Sequence, residues 1–144
     1  MNIQIIEDIK EALQIIIKCK QKDDEVIRLK TYIELFDKKL QAKKDNAFYF
    51  VNVSEVLYFE SIDNRTFLYT KDDVMEIKQR LYELEIILSD KDFIRISKSQ
   101  IANINKIRSL KPELNRTIIA TMSNNEQLYI SRKYVQAIRS ILSI

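Results

Sequence analysis

Three short segments hold the residues best suited to chemistry in this chain, and all three suit a polyanion. Asn64-Arg65-Thr66 sets an amide, a guanidinium and a hydroxyl in succession. Ser97-Lys98-Ser99 flanks an ammonium with two hydroxyls that can donate to phosphate oxygens. Arg132-Lys133 follows the strand-like run LYIS, and the planar fork of Arg132 suits two-point contact with guanine or phosphate. Arg95 and Arg116, like Lys133, are weaker candidates that hold phosphate or stay solvated. Asn103 follows a buried strand and reads as a residue that fixes a turn.

The charge distribution agrees with this reading. Residues 91–144 hold ten Lys/Arg against three Asp/Glu, a net of +7, whereas residues 46–90 hold four against nine, a net of −5. Residues 1–45 are near neutral at +1, so the overall +3 conceals a dipolar molecule. Such asymmetry is a footprint of polyanion binding, with a merely solvated basic surface as the alternative.

Absences exclude most other chemistries. With no histidine, the commonest general base and metal ligand is missing. With no glycine, neither a Walker loop nor a dinucleotide fingerprint can form, because both need close backbone approach to phosphate. The acidic residues Asp72, Asp73, Glu83 and Glu85 read as turns and an exposed helix face, so neither an enzyme nor a cofactor or metal site is expected. The single cysteine, Cys19, allows no intrachain disulfide and is expected to be a buried small hydrophobe in a reducing cytoplasm. No apolar run approaches the ~18 residues of a membrane span, and the acidic start MNIQIIEDIK is unlike a signal peptide.

These residues must be positioned by strands joined without glycine. Turns requiring positive φ must use asparagine or aspartate, and Asp63-Asn64, Asn115-Arg116 and Asn124-Asn125 each stand between strand-like runs. AFYFVN, VLYFES, TFLYT, VMEI, Phe93–Ile96, Ile107–Leu110, Thr117–Met122 and Gln127–Ile130 read as short strands. Tyr58, Phe59, Phe67 and Tyr69 read as core residues in preference to base-stacking platforms. A helix near Lys78–Leu88 and a short final helix through Val135, Ile138 and Leu142 complete this part. Before it, alternating Ile3 and Ile5, then Leu13, Ile15, Ile17 and Cys19, predict two short strands. A helix capped by Asp23 or Asp24 runs on to about Gln41. Its apolar positions Val26, Leu29, Ile33, Phe36 and Leu40 form a heptad stripe, either packed on the chain's own sheet or free as a self-association seam. The lysine-rich stretch Ala42–Asp45 is expected to be a hinge between an extension (residues 1–45) and the main domain (residues 46–144).

In order and spacing, LYFESIDNRTFLYT, a helix ending in LYELE, FIRISKSQIANINKIRSLKP and LYISRKYV resemble the LytTR-type DNA-binding domain of bacterial transcription regulators. The resemblance covers residues 47–144 and implies a mainly β fold, an elongated stack of small β-sheets with one or two short helices, here preceded by a ββα extension. It implies loops, not a recognition helix, in successive major grooves. By resemblance Arg132 matches a DNA-contacting arginine, Lys98 a base- or backbone-contacting position, and Asn64-Arg65-Thr66 the first DNA-contacting loop. Many family members carry a receiver domain upstream; the roughly 45 residues before this domain are too few for one, so the chain resembles the stand-alone, response-regulator-like members. Ser97-Lys98 stands where many relatives have His-Arg, and Asn124-Asn125 where many have Asn-Gly, so the target sequence does not carry across.

The function expected is therefore sequence-specific binding of double-stranded DNA in transcription regulation, as a homodimer or as paired copies on repeated half-sites. The alternative is a non-catalytic adaptor or antagonist that docks an unidentified protein partner through the amphipathic N-terminal helix.

Overall fold

The computed structural model describes residues 1–10, 12–36, 38–88 and 92–144; the side chains of Thr31, Tyr32 and residues 34–36 also lie outside the described set. Ten strands and three helices make up these residues, the mainly β architecture expected. Strands β1 (Lys39–Lys44), β2 (Ala47–Asn52), β3 (Tyr58–Ile62), β4 (Arg65–Tyr69), β5 (Val74–Ile77), β6 (Phe93–Ser97) and β7 (Gln100–Asn103) form a seven-stranded sheet, in the order β2-β1-β5-β4-β3-β7-β6. Strands β8 (Ile107–Pro112), β9 (Ile118–Met122) and β10 (Gln127–Ile130) form a three-stranded sheet, and every pairing is antiparallel. The helices are α1 (Asp24–Phe36), α2 (Leu81–Ile87) and α3 (Arg132–Leu142).

The period-two alternation of the strands builds two cores, one on each face of the larger sheet. Leu40, Leu68, Met75, Ile77, Phe59 and Ile101 meet Leu81 and Leu84 of α2 on one side. On the other, Tyr58, Ile94, Ile96 and Ala102 meet Ile118, Ala120, Met122, Leu128 and Ile130 of the smaller sheet and Ile138 of α3. Neighbouring residues Tyr58 and Phe59 are thus both buried, as a strand covered on two sides requires. Tyr58 stacks on Tyr69 at 4.1 Å between ring centroids. Burial, then a hydrogen bond to Glu60, pushes the Tyr69 hydroxyl up to about 12.

Asparagine and aspartate replace glycine at the turns. Asp63, Asn64, Asn115, Arg116 and Asn125 adopt positive φ, as expected; Asn124 does not, and Asp45 and Asn46 join the set. The last pair closes the β1–β2 hairpin, so Ala42–Asp45 is not a hinge but a strand end and turn. Here two periodicities competed for Leu40. As the last position of the heptad stripe it would extend the helix, but α1 ends at Phe36 and Leu40 lies in β1, 6% exposed. Pairing of β1 with both β2 and β5 decides the matter, since it satisfies backbone groups on both edges of the strand. Asp23 caps α1 as expected, its Oδ1 accepting from Val26 N at 3.0 Å. Val26, Leu29 and Ile33 are half-buried, and α1 packs against the helical turn Val53–Glu55; the side chain of Phe36 lies outside the described residues.

The two N-terminal strands expected from Ile3–Cys19 do not form among the described residues, and Cys19 is exposed, not buried. Alternation selects a face only once a neighbouring strand supplies hydrogen bonds, and none pairs with this segment.

One buried carboxylate yields a stability prediction. Asp92 is 1% exposed; its Oδ1 accepts from Asn105, its Oδ2 has no partner among the described residues, and burial raises its pKa above the ordinary carboxylate range. A raised carboxyl pKa favours the folded state at low pH and opposes it as pH climbs from the unfolded towards the folded value. Asp92→Asn is therefore expected to stabilise the fold by about 1 kcal/mol at pH 7. The gain should vanish below the ordinary carboxylate pKa, as urea titrations at the two pH values would show. Asn103 fixes the same turn: its Nδ2 donates to Val56 O at 2.8 Å and its Oδ1 accepts from Asn105 N at 3.0 Å.

Candidate nucleic-acid interface

The strand registers bring the separated basic segments to one end of the molecule. The Asp63-Asn64 turn joins β3 to β4 there, with Ile62 opposite Arg65. Strand β7 starts opposite Glu60, and Ser61 N donates to Ser99 O at 2.8 Å, which sets the Lys98-Ser99 turn beside the first. Strand β5 ends opposite Thr66, so residues 78–80 emerge at this end too, and the Arg80 guanidinium donates to Asn64 O. The smaller sheet adds two more segments. Ser131 N donates to Ile96 O at 2.9 Å, placing the start of α3 against the end of β6. Ile130 and Pro112 both pair with Ile118, so the turn between β8 and β9, with Arg116, lies near that helix start.

Asn64, Arg65, Lys98, Ser99, Arg132 and Lys133 are exposed at this end, and Ser97 is half-buried. Thr66 is not available. It is 2% exposed because it falls on the inward phase of β4 beside Leu68, so it leaves the set of contact candidates. Arg65 is exposed but engaged. Its Nε and Nη2 reach the two Glu76 oxygens at 3.1 and 2.5 Å, and its guanidinium lies 5.3 Å from the Phe67 ring centroid. The pair raises the pKa of Arg65 and lowers that of Glu76. A side-on pair uses two of the five guanidinium donors, so an incoming acceptor competes with Glu76 and does not meet a bare cation. A groove of about 390 Å³ runs from this pair, lined by Lys43, Phe48, Asn64, Lys78 and Arg80 among others.

The Ser97–Ser99 turn is held from below. Arg95 Nε donates to Ser97 O at 2.8 Å, Nη2 donates to Lys98 O, and Nη1 pairs with Glu85 at 3.0 Å. Ser99 N donates to Ser97 Oγ at 3.3 Å. Arg95 thus positions the turn, on which the Lys98 side chain is exposed. Arg95→Ala should cost about 1–2 kcal/mol of stability and roughly tenfold in DNA affinity. The check is hydrogen exchange at the Ser99 amide: faster exchange is expected even in DNA-free protein, and unchanged exchange would remove the positioning role.

The family model of the LytTr DNA-binding domain matches residues 46–143. The chain belongs to this family. A Staphylococcus aureus protein (strain NCTC 8325), described as an uncharacterized HTH-type transcriptional regulator, is 38% identical over 100 residues, 69% of this chain and 67% of that protein. A protein of the same description from strain MRSA252 is 37% identical over the same shares. A solved LytTr DNA-binding domain, from a Bacillus cereus protein described as a methyl-accepting/DNA response regulator, superposes with a TM-score of 0.72. Its sequence is 28% identical, and the match covers 75% of this chain and 99% of that one.

The family fold explains why a helix-turn-helix is not visible here. Five strands separate α1 from α2 and five separate α2 from α3, so no two described helices are joined by a short turn. This LytTR-family chain also places Lys78 and Arg80 at the basic end, which sequence reasoning missed. Both sit at the entry to α2, and no local pattern distinguishes them from ordinary solvated residues; only the pairing of β5 with β4 brings them beside Asn64.

Proposed function

We propose that this LytTR-family chain is a sequence-specific, double-stranded-DNA-binding transcription regulator that acts in the cytoplasm without catalysis. Its loops, not a recognition helix, would enter the major grooves. One observation carries the reading: antiparallel pairing and the Ser131–Ile96 contact gather Asn64, Arg65, Lys98, Arg132 and Lys133 from both sheets onto one exposed end. Membership of the LytTr DNA-binding domain family and the likeness to transcriptional regulators support it. Residues 1–45 are proposed as an extension to the binding domain of residues 46–144, lending it β1 and α1. One module of this size falls short of usual specific affinities, so binding as a homodimer or as paired copies on repeated half-sites is part of the proposal.

The test is fluorescence anisotropy against random-sequence duplexes, followed by selection and sequencing of the bound pool. An enriched motif repeated at about one helical turn, and lost with Lys98→Ala, is the expected result. Absence of binding at low salt would overturn the reading. The rival adaptor role has little surface left on α1, because Val26, Leu29 and Ile33 are already half-buried against this chain.

A further inference from the structure

The sheets expose four edges, and three are defended. Edge β6 is covered, with Ser131 bonded to Ile96 O and α3 packed on it, and β10 lies against β6. Strand β8 carries Arg108, Lys111 and Pro112, the usual deterrents to strand addition. Strand β2 has none of these. From Asn46 to Ser54 no residue is charged, and Phe48, Tyr49 and Phe50 are 58%, 43% and 68% exposed. Three adjacent exposed aromatics on an unblocked edge call for a partner.

The sequence of this edge is almost a palindrome. Asn46-Ala47-Phe48-Tyr49-Phe50-Val51-Asn52 reads the same in both directions about Tyr49, except that Ala47 answers Val51. An antiparallel pair of identical strands needs this self-matching, since a two-fold axis sets each residue against its mirror position. The backbone agrees. The two-residue turn closes on the Lys44–Ala47 pair, so Ala47, Tyr49 and Val51 direct their backbone groups towards β1, and Phe48, Phe50 and Asn52 direct theirs outwards. The bond from Val53 N to Lys38 O continues this alternation. With the axis at Tyr49, Phe48 would exchange both backbone hydrogen bonds with Phe50 of the second copy, and the two Tyr49 residues would form the close, non-hydrogen-bonded pair. Phe48 and Phe50 lie on one face with Gln41 and Lys43, giving two cross-strand aromatic pairs.

We infer that the β2 edge is a self-association surface, where a second copy of this chain adds its own β2 antiparallel, in register about Tyr49. The exposed part of the three rings offers roughly 300–400 Å² per copy. That falls below the ~1,200 Å² total of a stable interface, so the dimer is a weak, concentration-dependent one. A neutral strand brings no like charges into contact. The apolar N-terminal segment, with Ile3, Ile5 and Ile6 exposed, is the competing occupant within this chain.

Sedimentation velocity of the full chain without DNA, over a wide concentration range, tests self-association independently of the DNA reading. Reversible dimerisation is expected, weakened on the order of 100-fold by Phe50→Lys, because the substitution enters the two-fold interface twice. Register is tested by oxidation on a Cys19→Ser background: Tyr49→Cys should cross-link two copies, and Ala47→Cys should not, since it would face Val51. A strictly monomeric wild type, equal cross-linking of the two variants, or loss of dimerisation on deleting residues 1–22 would each overturn the inference. Dimerisation that survives this deletion and fails with Phe50→Lys upholds it.

Discussion

Raising monovalent salt from about 50 to 200 mM should weaken DNA binding by roughly two to three orders of magnitude. Each phosphate neutralised releases counterions, giving a log–log slope of about −0.9 per contact. Four to six contacts thus predict a slope near −4 to −5. The exposed cations at the basic end that could supply them include Lys78, Lys98, Arg132 and Lys133. Arg65 decides the margin. While Glu76 holds it side-on, it adds little net charge to the surface; Glu76→Gln should free it and steepen the slope by about one. Anisotropy titrations at four or five salt concentrations give the slope directly. A slope flatter than about −2 would mean that this end does not track a phosphate backbone.

Arg132→Ala should cost about 1–3 kcal/mol of operator binding, or some 5- to 150-fold, while leaving the fold intact or slightly more stable. The separation follows from where the residue sits. Arg132 and Lys133 open α3, whose first turn contains no acidic residue, and a cation at a helix N-terminus opposes the dipole by about 0.3–1 kcal/mol. Both are exposed, so truncating Arg132 removes no core packing. Arg132→Lys separates the two kinds of contact: a bidentate base contact is lost with lysine, and a phosphate contact is largely kept. Thermal melts run beside titrations with operator and scrambled duplex would read both effects. A melting temperature that falls in step with affinity would assign Arg132 to folding instead.

Much of this was legible in the linear pattern. Period-two runs such as TFLYT and FIRI became strands because each had a partner to pair with, and the missing glycines pointed directly to Asp63-Asn64 and Asn124-Asn125 as turns. Charge placement marked Lys98 and Arg132, since solvated cations need no tertiary context to be recognised. Ile3–Cys19 shows where pattern fails: alternation was present, but among the described residues no strand stood beside it. Leu40 satisfied two periods at once, and only the hydrogen bonds of β1 to both neighbours chose between them.

Local chemistry therefore determined the strand class, the turn positions, the exclusion of a glycine-dependent nucleotide site and the identity of the exposed cations, because each depends on a residue's own conformational and ionic preferences. Tertiary structure alone decided which of those residues share a surface. Thr66 turned inward beside Leu68, Arg65 found Glu76 eleven residues away, and Arg80 came to Asn64. Pairing register acts across the chain: shifting a strand by one residue exchanges its inner and outer faces, and no short window of sequence encodes that choice.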